Sequence, residues 1–249
     1  MVRLLRLAGA LMLTMMAVVA PAHSDDGGND RIVHGDLQIG FGDPSHFILI
    51  KPKTPISQKK WPLFIFMHGQ GWSPENVLRT NYELLTQQDF NIVLPQAPTR
   101  QGDGFSWYDR QDRNQFVADL GQDEKFIQRM IDRLIETDNV DSSKIVLSGF
   151  SQGGRVAFFV GFRNPTLFSE IAPIAGGYDS DLLDGRLDDL GMLRINIFHG
   201  TMDDRNSFED MRKTYIKLKQ AGANVTLTTY PLGHTYTTEI LNRVLRSVD

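Results

Sequence analysis

Short apolar segments alternate with helix-forming segments through most of this chain, and this alternation is the strongest constraint on its fold. The apolar segments are short enough to be strands, and the segments between them carry apolar residues at helical spacing. Helices that connect consecutive strands make the strands parallel and cover both faces of the resulting sheet. The predicted strands lie at residues 62–67, 90–95, 145–147, 168–175, 193–198 and 223–230.

The N-terminal part of the chain departs from this alternation. Residues 32–41 and 47–50 are two apolar segments separated by the turn-forming residues 42–45. Two strands joined by such a short polar turn pair as a hairpin. The sequence therefore predicts an antiparallel hairpin at the edge of the sheet.

One strand-to-helix turn carries a candidate nucleophile. Residues 149–153 read Gly-Phe-Ser-Gln-Gly, directly after the apolar segment 145–147 and before a helix-forming segment. A serine at so sharp a turn is held in a strained backbone conformation with its hydroxyl exposed, and side chains in place of Gly149 and Gly153 would collide with the crossing of strand and helix. Ser151 is therefore the candidate nucleophile.

A serine hydroxyl needs a base and a partner for that base. An imidazole is the best base near neutral pH, and His234 follows the last predicted strand directly. A carboxylate must orient the imidazole and stabilise its charged form. Asp203 and Asp204 both follow the strand at residues 193–198. Spacing favours Asp203, and Asp204 remains the alternative.

Two glycine-rich turns could supply the donors that stabilise a negatively charged oxygen. Backbone amides serve this purpose in acyl transfer. One predicted donor is the amide of Gln152, which opens the helix after Ser151. The other is the amide of Gln70, in the turn His-Gly-Gln-Gly at residues 68–71. The glycines of that turn could equally be simple turn residues.

Taken together, these motifs resemble the α/β-hydrolase serine esterases, most closely the phospholipase/carboxylesterase family that includes acyl-protein thioesterases. The resemblance covers residues 61–248 and implies the α/β-hydrolase fold: a mostly parallel central sheet with helices on both faces. It implies a triad of Ser151, Asp203 and His234. The family usually continues from the acid toward Val-Pro, whereas this chain has Asp-Arg-Asn at residues 204–206. The motifs that carry the resemblance lie at residues 68–71, 106–109, 149–154, 199–203 and 233–234.

Aromatic and acidic residues in the loops suggest two further features. Trp72, Phe105, Trp107 and Tyr108 are candidates to line a substrate pocket, although loop aromatics can also serve local packing. Five aspartates fall within residues 179–189, but their spacing does not match a calcium-binding loop, so we expect a solvated acidic loop. No metal or cofactor is expected.

The first residues have the pattern of a signal peptide. Arg3 and Arg6 precede an apolar stretch that ends in Ala-Pro-Ala at residues 20–22. We expect cleavage after Ala22, a disordered lead-in at residues 23–30 and a single domain at residues 31–249. The apolar stretch is shorter than the about 20 residues that span a membrane, so an uncleaved anchor is the less favoured alternative and no stable membrane anchor is expected after cleavage. This pattern predicts that the protein is exported to the periplasm or the medium.

Composition narrows the function further. The chain contains no cysteine, which excludes disulfides and a cysteine nucleophile. Removal of Arg3 and Arg6 with the signal would take the net charge from −4 to −6, without a basic cluster for nucleic acid. We therefore expect no nucleic-acid partner, and the expected partner is a small-molecule or acylated ester substrate.

These features predict an exported serine hydrolase that cleaves carboxylic esters of small to medium acyl groups through an acyl-serine intermediate. Three alternatives remain open. The enzyme could act on feruloyl or acetyl esters of polysaccharides, it could be a peptidase or amidase, or the chain could be a non-catalytic binding protein on a hydrolase fold.

Overall fold

The computed structural model describes residues 30–38 and 45–248. Residues 1–29 lie outside the described residues, and so do the predicted signal peptide and almost all of the predicted lead-in. The strands are β1 (Ile32–Leu37), β2 (Ser45–Ile50), β3 (Trp61–Met67), β4 (Asn91–Pro95), β5 (Thr99–Gln101), β6 (Gly104–Ser106), β7 (Val140–Phe150), β8 (Glu170–Ile174), β9 (Arg194–Gly200) and β10 (Val225–Tyr230). The helices are α1 (Pro74–Thr86), α2 (Arg113–Thr137), α3 (Gln152–Arg163), α4 (Ser180–Leu183), α5 (Phe208–Gln220) and α6 (Thr238–Leu245), with a 3-10 helix at Asp184–Asp189.

Eight of the strands form one sheet in the order β1-β2-β4-β3-β7-β8-β9-β10. The pairs from β4 to β10 are parallel, whereas β1 pairs with β2, and β2 with β4, in the antiparallel sense. This arrangement confirms the predicted α/β-hydrolase fold with its N-terminal hairpin. The hairpin register joins Ile32 to Ile50 and Leu37 to Ser45. Ile39 and Phe41, which the sequence analysis placed in the first strand, lie outside the described residues.

Two apolar clusters cover the two faces of the sheet. One contains buried residues of α2, α3 and α5, and the other contains buried residues of α1 and α6. Strand residues alternate between the clusters: in β3, Leu63 and Ile65 belong to the first cluster, and Phe64 and Phe66 to the second. The central strands are buried on both faces, which explains why their sequences are continuously apolar.

Capping residues decide where the helices begin. Ser73 caps α1 in a capping box with Asn76, and Pro74 occupies the first turn. Apolar residues at helical spacing over residues 122–137 predict a helix there. Helix α2 begins nine residues earlier, at Arg113, because Asp112 accepts hydrogen bonds from the amides of Asn114 and Gln115.

The sequence of α5 allows a helix start near Asn206 or Ser207, and Asn206 with Glu209 resembles a capping box. In the structure Ser207 is the cap: its side chain accepts a hydrogen bond from the amide of Asp210, at 3.3 Å. The side chain of Asn206 instead donates to the carbonyl oxygen of Ala175, at 2.7 Å. The Asn206 side chain therefore binds the end of β8 and does not cap α5.

Two predicted loops contain short elements. The segment after β4 forms the two-stranded β5–β6 sheet, and the acidic segment at residues 176–191 contains α4 and the 3-10 helix. Two of its aspartates have specific partners. Asp184 accepts hydrogen bonds from Tyr178 and Lys217, and Asp179 pairs with Arg155. No helix among the described residues is long and apolar enough to cross a membrane.

Candidate active site

Ser151 occupies a strained turn between β7 and α3. Its φ of 55° and ψ of −110° lie in a region that side chains rarely adopt. A Cβ atom on Gly149 would lie 2.6 Å from the carbonyl carbon of Gly153, and one on Gly153 would lie 2.2 Å from the carbonyl oxygen of Met67. Both positions therefore require glycine, for the steric reason that the sequence predicted, and the turn directs Ser151 into a surface cavity.

His234 lies between Ser151 and Asp203. Its Nε2 is 2.8 Å from the Ser151 Oγ, and its Nδ1 is 2.8 and 3.0 Å from the two carboxylate oxygens of Asp203. Because an ionised carboxylate only accepts hydrogen bonds, Nδ1 carries the hydrogen and Nε2 is left to accept from the hydroxyl. The ring also packs against Phe150, with 5.1 Å between the ring centroids. This geometry is that of a general base next to an alcohol.

Asp203, and not Asp204, contacts the histidine. The Asp203 side chain is fully buried, whereas Asp204 is exposed. Besides His234, the Asp203 Oδ1 accepts hydrogen bonds from the amides of Arg205 and Asn206, both at 2.9 Å. The chain thus folds back around the carboxylate and fixes its direction.

Asn206 and His199 complete the support of the acid. The Asn206 side chain binds the end of β8, and its carbonyl oxygen is 2.8 Å from the His199 Nε2. His199 is buried, and burial lowers its pKa, so its neutral ring donates to that carbonyl. The sequence analysis noted the unusual Asp-Arg-Asn stretch but missed this role of Asn206, because the partners of Asn206 come from two different strand ends.

The two predicted oxyanion donors flank Ser151. The Gln152 amide is the first of α3 and has no acceptor within the helix. The Gln70 amide lies in the turn after β3, where Gly71 has a φ of 76° and donates to the Phe105 carbonyl oxygen at 2.8 Å. No backbone carbonyl in the described ranges accepts from either glutamine amide.

His68 stabilises the turn that contains Gln70 through hydrogen bonds of both ring nitrogens. Its Nδ1 is 2.8 Å from the Gly69 carbonyl oxygen, and its Nε2 is 3.1 Å from the Ala97 amide nitrogen. The amide can only donate, so Nε2 accepts and Nδ1 carries the hydrogen. Burial lowers the pKa of His68 to about 4, which keeps the ring neutral.

The cavity above Ser151 has a volume of about 850 Å³. Trp72 and Tyr108 line it, as predicted, but Phe105 and Trp107 do not. Trp107 is fully buried, and its indole nitrogen donates to the His68 carbonyl oxygen at 2.8 Å. Phe105 packs against the core and pairs with Trp72 through an isolated backbone bridge. The sequence cannot separate these roles, because all four residues are aromatic and lie in loops.

The Gln152 side chain joins the segment after β6 to the nucleophile turn. Its Oε1 accepts from the Trp107 amide at 3.0 Å, and its Nε2 donates to the Tyr108 carbonyl oxygen at 3.2 Å. Tyr108 is buried, and burial raises its pKa to about 12, so its phenol is neutral. Gln152 thus supports one wall of the cavity with its side chain, while its backbone amide donates to no backbone carbonyl of the described residues.

Polar residues dominate the rest of the cavity wall. Arg155 is buried there and forms an ion pair with Asp179. The other polar lining residues are Thr80, Asn81, Arg110, Asp204, Arg205, Asn206, Thr235, Thr237 and Thr238. Such a wall suits a substrate with hydrogen-bonding groups close to its ester.

Comparisons with known proteins identify the family of this chain. A family model described as phospholipase/carboxylesterase matches residues 52–249. Lysophospholipase-like protein 1 of Mus musculus is 24% identical over 184 residues, which cover 67% of this chain and 77% of that protein. The bifunctional acetylxylan esterase/xylanase XynS20E of Neocallimastix patriciarum is 27% identical over 117 residues, or 46% of this chain. The chain spans only 16% of the length of XynS20E, and 45% of the length of NocK from Nocardia uniformis subsp. tsuyamanensis.

Solved structures show the same fold at low sequence identity. Esterase PE8 superposes with a TM-score of 0.65 and 20% identity, covering 81% of this chain and 97% of that one. Acyl-protein thioesterase 2 of Zea mays has the same TM-score with 18% identity, covering 81% of this chain and 96% of its own. With the match of the family model over most of the chain, these similarities lead to one conclusion: the chain belongs to the phospholipase/carboxylesterase family of α/β-hydrolases.

Proposed function

We propose that this protein is a serine esterase that hydrolyses carboxylic esters of small to medium acyl groups through an acyl-Ser151 intermediate. The observation that carries the proposal is the continuous chain of hydrogen bonds from Ser151 through His234 to Asp203. The family and the esterases among the similar proteins support ester hydrolysis as the reaction class.

In the first half of the reaction, Ser151 attacks the ester carbonyl carbon while His234 takes the hydroxyl proton at Nε2. Asp203 stabilises the imidazolium that forms. The negative charge on the carbonyl oxygen falls between the amides of Gln70 and Gln152, each of which lowers the barrier by an amount worth about two to three powers of ten in rate. Collapse of this intermediate breaks the bond to the alcohol, which leaves with the proton from His234.

In the second half, water replaces the alcohol. His234 removes a proton from the water, whose oxygen attacks the acyl carbon on Ser151. The same amides stabilise the second tetrahedral intermediate. When it collapses, the proton returns to Ser151 and the carboxylic acid departs.

Replacement of the nucleophile tests this proposal. We expect Ser151→Ala to lower kcat for p-nitrophenyl acetate and butyrate by at least about four orders of magnitude. The control is Ser142→Ala, which makes the same change at an exposed serine at the start of β7 and should retain full activity. A fluorophosphonate should add its phosphonyl group to Ser151 in the parent protein, detected by peptide mass spectrometry.

Two results would contradict the mechanism. Equal hydrolysis by Ser151→Ala and the parent protein would exclude Ser151 as the nucleophile. If the parent protein released no acid from any ester and gave no fluorophosphonate adduct, a non-catalytic binding function would replace the proposal.

A second candidate is an esterase that removes acetyl or feruloyl groups from polysaccharides. The polar cavity wall favours it, because sugar hydroxyls need hydrogen-bonding partners next to the ester. The similarity to XynS20E, whose name includes acetylxylan esterase, points the same way. A higher kcat/KM for acetylated or feruloylated xylo-oligosaccharides than for p-nitrophenyl acetate would select this candidate, and a lower one would reject it.

Export is a further part of the proposal. It rests on the basic and apolar pattern of residues 1–22. We expect the mature protein to begin at His23, which N-terminal sequencing of protein from the periplasm or the medium would determine. A protein retained in the cytoplasm with Met1 in place would contradict export.

A further inference from the structure

Three metal-ligating side chains converge away from the triad, at the edge of the sheet. His34 lies on β1, His46 on β2 and Glu75 in the first turn of α1. Each offers one ligand atom, and these atoms all lie within 4.8 Å of one another. Nothing in the proposed esterase reaction uses these residues.

The hairpin register explains why the histidines meet. Asp36 pairs directly with His46 across the two strands, and His34 stands two residues before Asp36 on the same face. That face is the one covered by α1, because Ile32 and Ile48 on it pack into the apolar cluster that contains α1 residues. The cluster of ligands thus sits at the outer end of a packed interface.

The separations fit a tetrahedral zinc ion. The His46 Nε2 lies 3.4 Å from the His34 Nδ1 and 3.4 Å from a carboxylate oxygen of Glu75. Ligands at the usual zinc distances of about 2.0–2.2 Å are about 3.3–3.6 Å apart when their arrangement is tetrahedral. The side chain of Glu75 is half exposed, so it can rotate to bring the third pair to the same separation.

Asp36 prepares His46 to bind a metal. Its carboxylate is 3.1 Å from the His46 Nδ1. A hydrogen on Nδ1 therefore points to Asp36, and the lone pair of Nε2 points toward His34 and Glu75. Zinc-bound histidines commonly have such a carboxylate on the other ring nitrogen, which fixes the tautomer and raises the basicity of the ligand.

From this geometry we infer that His34, His46 and Glu75 form a zinc site that joins the β1–β2 hairpin to helix α1, with Asp36 as a positioning residue and a water as fourth ligand. Imidazole and carboxylate together suit zinc better than calcium or magnesium, which prefer oxygen ligands alone. The inference departs from the sequence analysis, which expected no metal. His34 and His46 are 12 residues apart in the chain, so no local motif marks the site.

Hydrogen bonds join the same side chains in the absence of metal. Hydrogen bonding to Glu75 raises the pKa of His46 above its ordinary value, against the opposing effect of burial. The pKa of Glu75 falls to about 2, chiefly because of the same hydrogen bond. Zinc binds neutral imidazole, so its affinity should weaken as the pH falls through the histidine range.

The first experiment is calorimetric titration of the untagged full-length protein with zinc chloride at pH 7.5. We expect one site with a Kd of about 1 µM or lower. His46→Gln and Glu75→Gln should each weaken binding by at least about 100-fold, and Asp36→Asn by about 10- to 100-fold. The matched control is His234→Gln, which removes the histidine of the triad and should leave zinc affinity unchanged.

The second experiment measures metal binding at the same site by thermal unfolding and by visible absorption. Zinc at about 100-fold above the Kd should raise the Tm of the parent protein by about 5 °C or more and should leave the Tm of His46→Gln unchanged. Cobalt(II) in place of zinc should give the intense visible absorption of a tetrahedral site, lost in His46→Gln. Circular dichroism of the metal-free variants checks that they are folded.

Either of two results would overturn the inference. One is an absence of zinc binding by the parent protein. The other is binding that survives in both His46→Gln and Glu75→Gln but disappears in His234→Gln, which would place the metal at the triad.

Discussion

Asn206 contributes three separate groups to the candidate site. Its amide binds the Asp203 carboxylate, its side chain donates to the Ala175 carbonyl oxygen, and its own carbonyl accepts from His199. Ala175 itself has a φ of 47°, in the left-handed region that residues other than glycine rarely adopt. A single asparagine thus holds the loop of the acid against the neighbouring strand end.

Loss of the Asn206 side chain should impair the chemical step more than substrate binding. In Asn206→Ala, Asp203 can turn away from His234, and a misplacement of about 1 Å can cost about 100-fold in rate. We expect kcat for p-nitrophenyl butyrate to fall about 10- to 100-fold, with KM changed less than about threefold. Steady-state kinetics on folded protein measures both constants.

Asp204→Ala is the matched control for that variant. Asp204 lies two residues before Asn206 and is exposed. The carboxylate that binds the His234 Nδ1 is that of Asp203. The kcat of Asp204→Ala should stay within about threefold of the parent value. If Asp204→Ala lost as much activity as Asn206→Ala, the assignment of Asp203 as the acid would fail.

His68 shows how a buried neutral ring makes stability depend on pH. The folded protein holds the pKa of His68 at about 4, and an unfolded chain has a histidine pKa near 6.5. As the pH falls below about 6.5, the unfolded chain takes up the proton first. The contribution of His68 to stability is therefore complete above that pH and is lost as the pH falls toward 4.

Urea unfolding at pH 7 and pH 5 should reveal this contribution. Between the two pH values the His68 linkage should cost the parent protein about 2 kcal/mol of unfolding free energy. His68→Gln has no titrating ring, so its loss over the same range should be smaller by about that amount. An identical loss in both proteins would show that the pKa of His68 is not depressed.

One buried carboxyl group of helix α2 destabilises the folded protein. Asp123 is buried, and neither of its carboxyl oxygens has a hydrogen-bond partner among the described residues. Burial raises its pKa well above the ordinary value, with a smaller effect from Asp119. The protein therefore folds with Asp123 protonated at a pH where the unfolded chain is ionised, so this group destabilises the fold increasingly as the pH rises above about 4.

Asp123→Leu should stabilise the protein. It replaces an unpaired buried carboxyl with an apolar side chain on the buried face of α2, and we expect a gain of about 2 kcal/mol at pH 7 that shrinks toward pH 4. Asp132→Leu makes the same change on the exposed face of the helix and should stay within about 0.5 kcal/mol. Thermal and urea unfolding measure both. A loss of stability in Asp123→Leu would mean that the carboxyl is paired in solution.

The elements differ in how far the sequence reveals them. Strands buried on both faces are predictable, because their apolar runs are local signals. The start of α2 is marked only weakly, because only Phe116 and Leu120 are buried between Arg113 and Leu120 and its cap at Asp112 looks like any loop aspartate. The β5–β6 pair cannot be predicted either, because Thr99–Gln101 is wholly exposed and has no apolar pattern. Its pairing depends on a tertiary neighbour, Trp72, which no local pattern shows.

The whole sheet connects the two ends of the described chain. Ile32 of β1 and Leu245 of α6 pack in the same apolar cluster. The eight strands run without a break from β1 to β10, so no subset of them has a core of its own.

Unfolding should accordingly be a single transition. Tryptophan fluorescence and far-ultraviolet circular dichroism should give coincident urea curves, since the three tryptophans and the helices belong to one cooperative unit. The measurement is made on metal-free protein without the predicted signal. Two separated transitions would argue against a single domain at residues 31–249.

The assembly of the site is predictable only in part. Gln70, Ser151, Asp203 and His234 each follow a strand, and the carboxyl ends of parallel strands meet at one edge of the sheet. The sequence can place them there and favours Asp203 by its spacing, but it leaves Asp204 open as the acid, because the final choice depends on the path of the loop. The polar cavity wall and the cluster of His34, His46 and Glu75 are likewise products of tertiary packing.

The β5–β6 hairpin bears on how this protein could be engineered. Its base is tied to the cavity wall through Phe105 and Gln152, whereas Gly102 at its tip has open space around it. Segments of different length and sequence could therefore be grafted at its tip without disturbing the sheet or the triad. A library confined to residues 101–103 would vary the outer end of this hairpin, and would leave the residues that line the cavity at Ser151 as they are.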